Sequence, residues 1–181
     1  MDLSRYDNRA FDRGAPLWKE ALWRLCQGLF FQPLWHIPSA VRAALLRAFG
    51  ARIGTGAVVR AGVNVSFPWR LELGDHVWLG EEVMILSLGP VRIGSNTCIS
   101  QRAFLCTGSH DHRAPAFDLA VRPLEIGERC WVGAAAFVGP GVTLPAGTVL
   151  GAGAVLVRSP EAPGVYAGNP ARRVDVRAGG A

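Results

Sequence analysis

The chain repeats every six residues, and that period restricts the folds open to it more than any other feature. Anchors at Ile53, Val59, Val65, then Leu73, Leu79, Ile85, then Ile93, Ile99 and Leu105 each find an aliphatic residue. After an interruption the register resumes at Ile126, Val132, Val138, Leu144, Leu150 and Leu156. All fifteen positions hold Leu, Ile or Val, types that fill only 43 of the 181 residues, so chance does not explain the register. Glycine often follows the anchor, as at Gly54, Gly74, Gly94, Gly127 and Gly133. Four places after it stands a small or β-branched residue, such as Ala57, Val77, Ala103, Ser109 or Ala136.

A helix would repeat near 3.6 residues and an ordinary strand at two. Six suits a coil with three short flat sides, each turning one large apolar side chain inward. Every corner then needs a residue that tolerates unusual backbone angles or is too small to clash. Three hexads close one turn of eighteen residues, and a short repeat buries its apolar side only by stacking on its neighbours. The reading is an all-β dominated parallel β-helix prism of about five coils, roughly 24 Å tall at about 4.8 Å per coil. The pairs Leu71-Glu72 and Val91-Arg92 fall between anchor triplets, where a corner can bulge.

Residues 51–158 hold the repeat, with an excursion expected over 111–125, and 1–50 read as a helical cap. After the polar stretch 1–14, Pro16 can open a helix, because a first turn leaves its donor position unpaired anyway. Leu17, Ala21, Leu22, Leu25, Cys26 and Leu29 follow helical spacing and are expected inside. Pro33 and Pro38 stop that helix. Ser39 reads as the N-cap of a second, with Val41, Ala44, Leu45, Ala48 and Phe49 inside and Gly50 as its stop. Trp18, Trp23 and Trp35 make the segment aromatic, so it either covers the open end of the prism or rests on a membrane surface as an interfacial anchor. Residues 159–181 are expected as an extended strap lying back along the prism, turned at Asn169-Pro170 and frayed from Arg177.

The net charge is +5, and half of the residues are hydrophobic, which excludes a disordered chain. The balance favours an anionic ligand, but the arginines are scattered, so no extended nucleic-acid face is expected. Four cysteines without a CxxC pair, and a start without a signal peptide, point to a reducing cytoplasm. The longest apolar region, 21–37, is cut by Arg24, Pro33 and His36 and is too broken to span a bilayer.

The interruption concentrates reactive types: Cys106, Ser109, His110, Asp111 and His112. By register His110 closes the third coil, and its side chain projects outward. Ser109 takes the inward small-residue place and makes a poor nucleophile. Asp111 could orient an imidazole but suits a turn better. Cys106 adjoins an inward anchor, with little besides His110 to activate it.

This pattern resembles the hexapeptide-repeat acyltransferases. The resemblance covers about two-thirds of the chain and is carried by Thr107-Gly108-Ser109-His110-Asp111, Trp131-Val132-Gly133-Ala134, Gly151-Ala152-Gly153-Ala154 and Gly168-Asn169-Pro170-Ala171-Arg172. With the N-terminal helices, these motifs look like the branch of colanic acid and exopolysaccharide biosynthesis acetyltransferases. The resemblance implies a left-handed prism, a homotrimer with active sites between neighbouring prisms, and acetyl-CoA as donor. It implies His110 as the general base, with Asp111 and His112 as possible support. For the coenzyme it implies Ala134 and Ala152 along the pantetheine arm, Val157 and Arg158 at the last coil, and Arg172, with neighbouring Arg173, at a phosphate. Asp175 stands where relatives carry a further basic residue.

Acyl transfer to a hydroxyl needs a base for the departing proton and donors for the oxyanion on the thioester carbonyl. Imidazole titrates near neutral pH and suits the first task. On the acceptor side, Gly80 and Leu88 stand where galactoside acetyltransferases place polar residues, which disfavours a galactoside. Trp78, Arg113 and Asp118 are the leading candidates to touch an acceptor, with Trp69 and Arg122 behind them. The expected reaction is O-acetylation of a sugar hydroxyl in exopolysaccharide or lipopolysaccharide assembly, on a free or lipid-linked saccharide. An amino sugar or antibiotic acceptor is the enzymatic alternative, and a non-catalytic β-helix binding module is the alternative from another class. No metal is expected, since His36 and His76 are not placed to complete a site with His110 and His112.

Overall fold

The structure, a computed structural model, describes residues 2–32 and 36–174. Within it the hexads form a left-handed parallel β-helix. Each anchor lies in a short strand that pairs in parallel with the strands of the neighbouring coils on its face. Face A stacks Arg52, Glu72, Arg92, Glu125 and Thr143 in register. Face B stacks Val58, Trp78, Cys98, Trp131, Val149 and Val165. Face C stacks Asn64, Met84, Phe104, Phe137 and Val155. The anchors fill the prism interior; Val59, Leu79, Ile85, Ile99, Leu105 and Leu150 are all fully buried.

The corners divide the two duties that the sequence places on small residues. Gly133, directly after its anchor, is needed for space: a Cβ there would lie 2.5 Å from the backbone nitrogen of Ala152 on the next coil. The left-handed backbone comes two places later, at Gly141 (φ 81°) and also at His76, Asn96 and Ala135 (φ 55°, 57° and 56°). His76, Asn96 and Ala135 are exposed at these corners, so the fold accepts non-glycine residues there.

The first coil has open strand edges, whose backbone groups lack a preceding coil to bond. Two helices, α1 (Leu17–Phe30) and α2 (Ser39–Ala48), cover that end. Trp23 Nε1–H donates to Val65 O at 2.7 Å, and Gln27 Oε1 accepts from Val65 N–H at 2.9 Å. Ser39 Oγ accepts from Val59 N–H, while Arg42 donates to Phe30 O and Val59 O and Arg47 to Ile53 O and Gly54 O. Ser39 is thus spent on a strand edge and does not cap α2, whose N-cap is Pro38 without a side-chain bond.

This requirement inverts the expected faces. The buried residues of α1 are Glu20 and Trp23, whereas Leu17, Leu22, Leu25 and Leu29 are 45–68% exposed. In α2 the inward side is Arg42, Ala43 and Leu46, followed by Phe49; Val41, Ala44 and Ala48 face out and Leu45 is half-buried. Among the residues expected inside, only Cys26, Leu45 and Phe49 pack on the core. The expected stop at Pro33, and Trp35, lie outside the described residues.

At the other end the strap does not lie back along the prism. Val165–Ala167 adds a parallel strand below Val149–Leu150, and Arg172–Val174 returns antiparallel to it through the cis Asn169-Pro170 bond. Ser159 Oγ accepts from Thr143 N–H and closes the lower edge of face A. The frayed tail expected from Arg177, and Asp175, lie outside the described residues.

Candidate active site

The hexad fails after Cys106. Gly108–His110 pairs antiparallel with Leu119–Val121, so the excursion is a β-hairpin that leaves the prism earlier than the register suggests. His110 therefore ends the outgoing strand of the hairpin and does not close a coil. Ser109 is exposed and does not fill its inward place; Thr107 is the buried residue, donating to Leu86 O at 2.6 Å and accepting from Gly89 N–H at 2.9 Å. Once a strand pairs with the hairpin instead of the stack, its side-chain alternation no longer follows the prism.

The His110 ring is clamped. It stacks on Phe117 with centroids 4.2 Å apart and planes 1° apart, and Tyr6 approaches edge-on at 5.4 Å. Nδ1 lies 2.8 Å from Phe117 O. A carbonyl oxygen only accepts, so Nδ1 carries the proton and the lone pair is on Nε2. The arrangement supplies an oriented acceptor for one proton. Phe117 and Tyr6 do not follow from the sequence reading: neither has a periodic position, and Tyr6 comes from the polar N-terminal stretch, which Asp2 N–H tethers to Pro115 O at 3.0 Å.

His110 opens on a groove of about 550 Å³ that it shares with Asp111, His112, Arg113, Arg122, Pro140 and Val157. Asp111 serves the turn: its carboxylate accepts from Arg113 N–H at 2.9 Å, and its own N–H bonds Asp118 O. His112 and Arg113 are exposed on the rim. Burial pushes the Cys106 thiol pKa up, against a smaller opposing effect of its bond to Gly108 O. A protonated thiol held by a carbonyl is a weak nucleophile, which leaves Cys106 a packing residue. Among the described residues, no group of three His, Cys, Asp or Glu is placed to hold a metal.

Two acceptor candidates stand elsewhere. Asp118 lines a separate recess of about 700 Å³ on the other side of the hairpin, with Asp7, Asp12, Arg70 and Leu88. Trp78, 58% exposed, lines a third recess on face B with Arg60, Cys98 and Gln101. Trp69 is structural: its Nε1–H donates to Arg13 O, and Lys19 Nζ sits 5.0 Å above its ring.

Four of the residues implied for coenzyme binding occupy the two edges of face C, and two lie on the strand added last to face B. Ala134 and Ala152 are exposed and stacked on successive coils at the corner between faces B and C, where Gly153 N–H donates to Ala134 O at 2.8 Å. Val157 and Arg158 follow the last anchor at the opposite edge, the one from which the His110 hairpin springs. Arg172 and Arg173 are exposed on the last strand, with Arg172 Nη1 donating to Ala171 O at 3.1 Å. Within one chain, only Val157 of these six shares a groove with His110.

Outward residues sort by face. Face A carries the ion-pair ladder Arg52–Glu72–Arg92–Glu125, with N···O distances of 2.9, 3.4 and 3.5 Å. Faces B and C carry Trp78, Trp131, Met84, Phe104 and Phe137, of which Trp78, Trp131 and Met84 are 46–58% exposed. These residues directly precede the anchors, so the contrast was present in the sequence at one fixed place of the hexad.

Comparison with known proteins extends this picture. A family model described as the hexapeptide repeat of succinyl-transferase matches residues 123–158. A protein of Escherichia coli K12 named as a colanic acid biosynthesis acetyltransferase, WcaF, is 42% identical over 171 residues, 94% of each chain. A hexapeptide-repeat acetyltransferase of Vibrio cholerae O1 biovar eltor, solved with acetyl coenzyme A, superposes with a TM-score of 0.79 at 23% identity, covering 88% of this chain and 87% of that one. A galactoside acetyltransferase solved with coenzyme A gives 0.78 at 24% identity, over 88% and 80%.

Proposed function

Because the chain belongs to the hexapeptide-repeat acetyltransferases, in their colanic acid and exopolysaccharide biosynthesis branch, we propose that it moves an acetyl group from acetyl-CoA to a sugar hydroxyl, with His110 as base. The observation that carries the role of His110 is its bond to Phe117 O, which commits Nδ1 as the donor and leaves Nε2 to take a proton, in a residue that lines an open groove. Nε2 takes the hydroxyl proton as the oxygen attacks the thioester carbonyl. The proton then passes to the departing thiolate of coenzyme A, so the imidazole returns to its starting state.

The donor fits the residues present. Small side chains at Ala134 and Ala152 leave the backbone open to a narrow pantetheine arm, and Arg158, Arg172 and Arg173 supply charge for phosphates. Since the alanine edge and the histidine edge lie on opposite sides of face C, a complete site brings the alanine edge of one copy to the histidine edge of the next. The apolar faces B and C favour that packing, while the ion-paired face A suits solvent. A cyclic assembly satisfies this, and the homotrimer implied by the family resemblance is the one we propose. Arg113 on the rim is placed to meet a saccharide, free or lipid-linked; Asp118 and Trp78 reach an acceptor only if it extends past the hairpin or is met by a neighbouring copy.

The test is release of free thiol from acetyl-CoA across a panel of saccharide acceptors. His110→Ala is expected to lower kcat by about 10²–10⁴-fold, the range for a lost general base, with acetyl-CoA binding retained. Undiminished turnover by the variant would remove His110 from the mechanism.

A further inference from the structure

The outward face of α1 remains unaccounted for by the reaction. Trp18, Leu22, Leu25 and Leu29 recur at helical spacing, joined by Leu17 and Ala21, and form one stripe on the side facing away from the prism. Trp18 is 68% exposed, Leu25 59% and Leu29 53%. Contiguous large apolar side chains of this kind mark a surface that something covers. Beside them, α2 turns Val41, Ala44 and Ala48 outward.

The charges around the stripe indicate what covers it. The two helices contain Lys19, Arg24, Arg42 and Arg47 against a single carboxylate, Glu20. That carboxylate is buried and held by Arg13 and Arg24, at 2.6 and 2.9 Å. Arg42 is itself buried and Lys19 lies over Trp69, so the exposed charges of the two helices are Arg24 and Arg47. Four cations against one carboxylate leave the helices net positive, with no exposed carboxylate of their own. An apolar face with Trp and Leu, bordered by arginine and lacking acids, matches an anionic lipid surface. A second copy of the same cap would set like charges against each other. No described helix is long and apolar enough to cross a membrane, so the helix would lie in the interface.

We propose that α1 docks flat on an anionic bilayer, its Trp18–Leu22–Leu25–Leu29 stripe at the headgroup–acyl boundary. The inward side of the cap is bonded to the first coil, so its outward side looks along the prism axis. Under the three-fold reading above, cyclic symmetry sets three such helices at one end of the assembly, and their weak affinities multiply. A protein seated this way meets acceptors carried on lipid.

The experiment sediments the full chain with vesicles of phosphatidylglycerol and phosphatidylethanolamine and, separately, with phosphatidylcholine vesicles. Partition onto the anionic vesicles is expected to be at least about tenfold greater and to weaken in high salt. Leu22→Ser with Leu25→Ser should lower it at least about tenfold, since two side chains lose their place in the acyl boundary. Melting temperature and acetyl-CoA binding are measured on the same samples and should not change. Failure of the donor reading would thus appear separately. Equal partition onto both vesicle types, or partition unaffected by the double substitution, would overturn the proposal. So would a six-chain species, formed without lipid and dispersed by the same substitutions, since it would assign the stripe to a second copy.

Discussion

The prism and its cap use apolar residues in opposite ways. In the prism each periodic aliphatic residue points inward, because the backbone groups of one coil are satisfied by the coils above and below. The interior is then free to be apolar throughout. The cap ends the stack, and its inward side must supply the hydrogen bonds that a missing coil would have made. Trp23, Gln27, Ser39, Arg42 and Arg47 do so. The leucine stripe of α1 is left facing out. Amphipathicity shows that a helix has two sides; it does not show which side the neighbour needs.

Substitutions can break or sharpen this contrast. Leu79→Ala, in the prism, should cost about 2–5 kcal/mol in urea unfolding, the range for a cavity in a packed core. A much smaller cost would mean that the coils are not tightly packed. Trp23→Phe keeps most of the ring but removes the donor to Val65 O, a buried acceptor. Its expected cost is about 1–3 kcal/mol, and a neutral result would deny the edge-sealing role of the cap.

Acid pH acts on the cap through Glu20. Burial raises its pKa, but hydrogen bonds from Arg24 and then Arg13 outweigh that, and the net shift is downward. A carboxyl with a depressed folded pKa contributes stability above its unfolded value, about 4.3, and loses it as pH falls through the folded value. Melting temperature should therefore decline in that acid window, and Glu20→Gln should flatten the decline. Leu25→Ser, on the outward stripe of α1, should change stability by less than about 0.5 kcal/mol, although leucine is the more hydrophobic residue. A loss comparable to that of Leu79→Ala would place the stripe inside a core.

Much of the molecule was legible in the sequence. Ile53 through Leu156 announced three-sided coils, and every anchor strand is where the hexad places it. The stacking of Ala134 and Ala152 at one corner was legible through the same register. The clamp on His110 was not. Phe117 lies seven residues along a hairpin whose strands pair across the excursion, and Tyr6 arrives from more than a hundred residues away. Ser109 was misread because the hexad count runs one step past the point where the strand leaves the stack.

A short period imposes itself locally, because each residue's place depends only on the coil before and after it. The sequence alone therefore determined the prism, its corners and the sorting of charge onto face A and aromatics onto faces B and C. Tertiary structure decided the rest: the orientation of α1, the strap as an added strand, and the tautomer of His110. Each of these depends on unsatisfied backbone groups at a stack edge or a hairpin. Their positions exist only once the chain has folded.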